Sequence, residues 1–168
     1  MMKEYRSWRK RGSQWMLNLQ EGNKAQFFGP MGVFTYNHSG LKRKVLVATG
    51  TGIAPFRAMV LHHLKNGGAD DLTLYWGLRY EEDIFLDPEF SQLAREYPNF
   101  HYILTLSKPT PAWTRASGRV TDHVFTQVAK LPEAEFYLCG SKFMIEEMNQ
   151  KLLAQGVPKA QIRMDIFY

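Results

Sequence analysis

Cysteine is nearly absent from this chain: Cys139 is the only one among 168 residues. That excludes a disulfide framework, a zinc cage of cysteines and an iron–sulfur cluster held by four thiolates of this chain. Long apolar runs are missing as well. No stretch approaches 18 uninterrupted apolar residues, so a membrane-spanning helix is excluded. The opening MMKEYRSWRKRGSQW is basic but leads into no apolar segment of the kind a secretory signal needs, and a cytoplasmic setting is expected. There is no G-x-S-x-G or other nucleophile motif, which disfavours a hydrolase. The histidines His38, His62, His63, His101 and His123 form no i, i+4 pair around a carboxylate and no metal pattern with the cysteine. Glu81-Glu82-Asp83 reads as a solvated loop, so no metal is expected. Internal repeats and low-complexity tracts are also lacking.

What is present is enough apolar material for a core, 45% of residues against 22% charged. The net charge of +5 is unevenly placed. Residues 1–44 carry nine Lys/Arg and two acids, whereas residues 45–168 carry twelve Lys/Arg and fourteen acids. The basic excess sits in Lys3 to Arg11 and Lys42 to Lys44, with no basic helix interleaved with aromatics. It reads first as a solvated surface, second as a docking patch for an acidic protein partner, and not as a nucleic-acid site.

From residue 45 onward, strand-like runs alternate with amphipathic stretches. Residues 45–48 form a short apolar run. Phe56, Met59, Val60, His63 and Leu64 then recur at helical spacing until Gly67-Gly68. Residues 72–76 read as a second strand. Asp87 as N-cap and Pro88 at the first helical position open a helix to about Tyr97. Residues 101–106 are a third strand, residues 121–130 a third helix and residues 135–139 a fourth strand. Ser141 caps a helix to about Gln155, closed by Gly156, and residues 162–167 are a fifth strand. Strands separated by helical crossovers run parallel with helices on both faces, so a five-stranded, doubly wound parallel α/β sheet is expected. Its ligand belongs at the carboxyl ends of the strands. Residues 1–40 do not share this rhythm. Residues 13–19 read as a short helix, residues 22–28 as a turn and strand, and 29–32 as a turn, like the end of a different domain; residues 41–168 form the second.

The strongest local signal is Thr49-Gly50-Thr51-Gly52-Ile53-Ala54-Pro55, between a strand and a helix. A diphosphate needs backbone N–H groups aimed at it with no side chains in the way, and a helix N-terminus adds a favourable dipole. By itself the turn fits a ligand-free strand–helix junction equally well.

Taken with three other blocks, that turn resembles the nicotinamide-binding domain of the ferredoxin–NADP reductase family of flavoproteins. The blocks are Gly77-Leu78-Arg79 with Asp83, Cys139-Gly140-Ser141-Lys142-Phe143-Met144, and, upstream, Glu21-Gly22-Asn23 with Gly29-Pro30-Met31-Gly32-Val33-Phe34. The first two are similar to the family's second-strand block and its C-G-x-x-x-M turn. The upstream block resembles the last strand of its flavin domain. The resemblance covers residues 11–168.

It implies several roles. Thr49 to Pro55, with Arg79, Gly140, Ser141 and Met144, would bind the dinucleotide, and the Cys139 sulfur would line the slot where nicotinamide meets flavin, positioning the ring without acting as a nucleophile. Ser107, Lys108 and Arg115 would hold a 2′-phosphate, which leans towards NADP over NAD. Tyr168, with Phe167 as rival, would stack on the flavin. Ser13 would cap a helix facing the flavin diphosphate, although the family's Arg-x-Tyr-Ser/Thr flavin motif does not occur here and FAD binding by this chain alone is therefore doubtful. The implied function is electron transfer, with hydride passing from NAD(P)H to FAD and electrons then reaching a ferredoxin, flavodoxin or oxygenase component. A flavin reductase releasing reduced flavin and a non-catalytic nucleotide-binding fragment or subunit are the alternatives. Residues 1–40 would be the remnant of a flavin-binding β-barrel.

Overall fold

The computed structural model describes residues 12, 14–26, 28, 29, 31–37 and 39–167, with backbone alone at residue 167. Met1–Val33 and Phe34–Tyr168 are two compact units. In the first, residues 14–17 are helical and a turn follows at residues 21–22. The expected strand over residues 22–28 is not formed by the described residues of that span. A strand needs a partner for its backbone groups, and the sheet described below takes its strands entirely from the second unit.

The second unit contains β1 (Arg43–Thr49), α1 (Ile53–Lys65), β2 (Asp71–Leu78), α2 (Asp87–Glu96), β3 (Phe100–Leu106), β4 (Ala116–Ser117), α3 (Val120–Gln127), β5 (Ala134–Ser141), α4 (Lys142–Ala154) and β6 (Ile162–Phe167). The sheet has six strands in the order β4-β3-β2-β1-β5-β6, every pair parallel. The parallel α/β expectation holds, and the count rises from five by β4, whose two residues are too short to carry a pattern. The first helical residue of α2 is Asp87 and its N-cap is Leu86, one position earlier than expected. The third helix ends at Gln127, short of Lys130, because the chain turns extended at Val128, with ψ 104°.

Side-chain alternation along β1 builds the two cores. Leu46 and Ala48 pack with α1 and α2, while Val45 and Val47 pack with α3 and α4. All four are fully buried, as a central strand covered on both faces requires.

At the opposite end of the sheet from the glycine turn, residues 34–37 and 39 are strapped to the strands. Phe34 meets Phe56 and Tyr137 at centroid distances of 5.9 and 6.2 Å, and Tyr36 stacks on Tyr137 at 5.8 Å. Beneath them Lys44 Nζ lies 2.6 Å from Glu135 Oε2, with the two side chains 0% and 2% exposed. Lys44 also donates to Ser39 Oγ and the Asn37 carbonyl, and Glu135 accepts from Asn37, Ser39 and Arg163. Burial alone would raise the Glu135 carboxyl, but these donors, Lys44 foremost, hold it down at about 2. A buried ion pair is tolerated only when its remaining hydrogen-bonding capacity is filled in this way.

Candidate functional site

The chain leaves β1 at Thr49 and turns at Gly50, whose φ of +55° suits glycine. A single 3₁₀ turn, Gly50–Gly52, then feeds α1 with no side-chain cap on either element. The Trp76 indole donates to the Gly50 carbonyl at 2.9 Å and fixes the turn. The two glycines differ. A Cβ on Gly50 would meet nothing within 4 Å, so that side of the turn is open. A Cβ on Gly52 would run into the Cys139 carbonyl and Gly140, so Gly52 is where α1 presses against β5.

The open side faces a cleft of about 690 Å³ at the carboxyl ends of β1, β2 and β5, a size that suits a small-molecule or cofactor ligand. It lies where the chain order of the sheet reverses, since β1 has β2 on one side and β5 on the other. Thr49, Gly50 and Thr51 line its floor, and Arg79 and Ser107 belong to its wall. Ser141 and Met144 contribute from the start of α4, where the Ser141 hydroxyl accepts the Met144 N–H at 3.4 Å and caps the helix. The sequence-expected residues thus converge from the ends of four strands, β1, β2, β3 and β5. An open glycine turn at an uncapped helix start inside such a cleft fits the diphosphate of a dinucleotide.

Other expected residues lie elsewhere. Ile53 is in the core, Ala54 is exposed on α1 and Pro55 half-buried. Cys139 is fully buried beneath the floor. Burial first, and the Asp165 carboxylate second, push its thiol up to about 12, which leaves it a poor nucleophile. Gly140, at φ +135°, passes so close to Thr49 that no side chain would fit. Lys108 is exposed outside the cleft lining, although its N–H bonds to the Arg79 carbonyl at 3.0 Å. Arg115 turns away. Its guanidinium contacts both oxygens of Asp87, at 2.9 and 2.8 Å, and lies 5.8 and 5.5 Å from the ring centroids of Tyr102 and Trp113. Ser13 and Tyr168 lie outside the described residues.

Several residues that sequence reasoning passed over complete the cleft. Phe85 and Phe143 present half-exposed and largely exposed rings to it, and Phe85 packs edge-on against Trp76 at 5.1 Å. Arg119 and Thr121 enter from the start of α3, placed there because Val120 packs over Gly77. Gly118, at φ +106°, was the one readable signal of that approach. Among the described residues no cluster of three or more His, Cys, Asp or Glu could hold a metal, and no helix is long and apolar enough to cross a membrane.

Comparison with known proteins agrees with this geometry. Residues 46–150 match the family model described as an oxidoreductase NAD-binding domain. The chain is 31% identical over 92% of its length to a ferredoxin–NADP reductase of Sorangium cellulosum and spans 66% of that protein. It is 32% identical over 92% of its length to one subunit of the Na(+)-translocating NADH-quinone reductase of Pseudomonas aeruginosa and spans 40% of it. Among solved structures, the cytochrome b5 reductase domain of Ulva prolifera nitrate reductase is 26% identical and superposes with a TM-score of 0.82, covering 92% of this chain and 65% of that one. The Amycolatopsis cytochrome P450 reductase, also 26% identical, gives 0.74 over 83% of this chain and 42% of its own. With its glycine turn, reversal-point cleft and parallel sheet, the chain belongs to the oxidoreductase NAD-binding domain family, in its ferredoxin–NADP reductase-like form.

Proposed function

We propose that the cleft binds NADPH or NADH and that the chain is the nucleotide-binding part of an NAD(P)H-dependent oxidoreductase, in which an FAD accepts the hydride and passes electrons to a ferredoxin, flavodoxin or oxygenase component in the cytoplasm. The observation that carries this reading is the open glycine turn at the reversal point of the sheet. The names of the relatives support it, among them a ferredoxin–NADP reductase and the reductase component of a propane 2-monooxygenase of Rhodococcus jostii.

This chain's own residues bind and orient. Gly50 and Thr51 offer backbone N–H groups to the diphosphate, and the start of α1 contributes its dipole. Cys139, kept as a neutral thiol under the floor, supports the β5 end against which the nicotinamide would rest. Phe143 presents an apolar face at the mouth of the cleft. Ser107 and Lys108 receive the adenosine ribose, with a preference for its 2′-phosphate. Tyr168, or Phe167 beside it, supplies the flavin-stacking ring.

In this reading residues 1–40 are the last portion of a flavin-binding β-barrel. Met16, Leu17, Phe28, Met31 and Val33 are exposed there, an apolar surface that suits a domain whose remainder lies in other residues. The family's flavin motif is missing from the sequence, and some 40 residues are too few to close a six-stranded barrel when strands average five or six residues plus turns.

The test has two parts. Calorimetry of the 168-residue chain with ADP-ribose should show one site. The purified chain should be colourless and should not reduce ferricyanide with NAD(P)H until a flavin-domain partner or a longer N-terminus is supplied. Absence of ADP-ribose binding would overturn the nucleotide site, and a yellow preparation with stoichiometric FAD would overturn the assignment of residues 1–40.

A further inference from the structure

The segments that follow β2 and β3 stay side by side beyond the ends of the strands. The Ser107 N–H donates to the Leu78 carbonyl and the Lys108 N–H to the Arg79 carbonyl, each at 3.0 Å. The chain then reads Pro109-Thr110-Pro111. Proline has no backbone N–H, so Thr110 carries the only one in that stretch, and it goes to a side chain. Glu81 Oε1 accepts the Thr110 N–H at 2.8 Å and the Thr110 hydroxyl at 2.7 Å. These donors, the hydroxyl foremost, hold the Glu81 carboxyl below its ordinary range, so it is ionised and accepting at neutral pH. The acceptor stands on a fixed post. Glu81 opens a single 3₁₀ turn, Glu81–Asp83, and Asp83 Oδ2 closes that turn by accepting the Tyr80 N–H at 3.2 Å. The far end of the same loop is held separately, by the Arg115 fork on Asp87.

We propose that Glu81 is a positioning residue for coenzyme choice: by tying Thr110 to the segment after β2, it sets where Ser107 and Lys108 stand relative to the adenosine ribose. Glu81 lies outside the cleft lining, whereas Ser107 is within it, so Glu81 acts through the loop and not by touching the nucleotide. The inference rests on the reading that Ser107 and Lys108 receive a 2′-phosphate. Lys108 is exposed, and its ammonium rides on a flexible four-carbon stem, so the direction it offers depends on the backbone beneath it. That backbone is fixed at Lys108 by the Arg79 carbonyl and two residues later by Glu81. Without the second tie, the stretch stiffened by its two prolines would swing as one unit about Lys108. A loop ordered before the ligand arrives loses less free energy on binding.

The test is calorimetry of the chain with NADP⁺ and with NAD⁺ at one ionic strength, comparing the parent with Glu81→Gln and Glu81→Ala. The amide oxygen of Glu81→Gln can still accept both Thr110 donors, whereas Glu81→Ala accepts neither. Glu81→Ala should bind NADP⁺ about five- to tenfold more weakly, the equivalent of roughly one hydrogen bond, and NAD⁺ within about twofold of the parent. Glu81→Gln should stay within about twofold of the parent for both nucleotides. Unchanged NADP⁺ affinity in Glu81→Ala would overturn the positioning role, and so would tighter binding, which would make Glu81 a repelling charge. An equal loss in the glutamine and alanine variants would overturn it in favour of charge alone, and an equal loss for the two nucleotides in favour of a general effect on the fold. A parent that binds NADP⁺ no tighter than NAD⁺ would instead overturn the 2′-phosphate reading on which the inference stands.

Discussion

The hydroxyl of Thr49 accepts the backbone N–H of Ser141 at 2.9 Å, joining the ends of β1 and β5 across 92 residues of sequence. One short side chain thereby sets the distance between the glycine turn and the start of α4. Gly140 passes directly against Thr49 where no Cβ fits. Together with the Trp76 bond to the Gly50 carbonyl, this ties the cleft floor together through the chain's own hydrogen bonds, which lowers the ordering cost of binding.

The two glycines of the turn should respond differently to substitution. Gly50→Val places a side chain on the open side, where the diphosphate would lie, at a backbone cost of about 1–2 kcal/mol for a left-handed residue. ADP-ribose affinity should vanish while thermal unfolding remains cooperative. Gly52→Ala drives a methyl into the Cys139 carbonyl and should lower the melting temperature sharply through the backbone shift it forces between α1 and β5. Equal effects of the two changes on stability and on binding would refute this division of labour.

The strap at the other end of the sheet predicts an acid sensitivity. The Glu135 carboxyl is held at about 2, below its ordinary 4.5. A carboxyl whose folded-state value is depressed stabilises the fold above its unfolded value, and that stability is lost as pH falls from about 4.5 towards about 2. The loss is on the order of 3 kcal/mol. Glu135→Gln leaves the Lys44 ammonium buried without its counter-charge and should cost about 3–5 kcal/mol at neutral pH. Urea melts of both proteins at neutral pH and at about pH 3 would check this, since the variant should lose less stability on acidification than the parent.

Cys139 should be silent to thiol reagents in the folded protein. The thiolate is the reacting species, and burial together with Asp165 suppresses it. Ellman's reagent at mildly alkaline pH should report no accessible thiol until guanidinium is added, and one thereafter. Rapid native-state labelling would show that the β5 end opens.

For coenzyme choice, the Asp87 fork around Arg115 matters. With that guanidinium already engaged, the proposed discrimination for a 2′-phosphate should rest on Ser107 and Lys108. NADP⁺ should bind tighter than NAD⁺. Lys108→Ala should remove most of a difference of about one to two decades, and Arg115→Ala should change it little. Equal affinities for the two nucleotides in the parent would count against a 2′-phosphate site.

How much of this was legible in the sequence follows from how local each feature is. The β1 run, the Gly67-Gly68 stop and the Ser141 cap are set by neighbours within a few residues, and each appears where the pattern puts it. Two residues such as Ala116–Ser117 have no period, so β4 could not be seen. Asp87 is favourable at either the N-cap or the first turn of a helix, so composition could not place it to the residue. The position of Arg115 after β3 is readable in the sequence, whereas its partner Asp87, 28 residues earlier, is not. Arg119 and Thr121 carry no motif and Phe143 fills an unspecified position of one, because their approach to the cleft depends on how α3 and α4 cross the sheet. No local pattern ties Phe34 and Tyr36 to the sheet, because their rings cover Tyr137, about 100 residues away.

The strand order also imposes a timetable. β1 can pair with β2 as soon as residues 71–78 are made, but its other edge must wait for residues 134–141. Pairings so distant in sequence form late and leave an open central edge in the meantime. A growing chain therefore carries the complete glycine turn well before it has anything to bind with: until Ser141 leaves the ribosome and reaches Thr49, there is a loop but no cleft. The binding cleft is thus a property acquired only once β5 has been made, and a chaperone that shields the unpaired side of β1 would be guarding the future binding site itself.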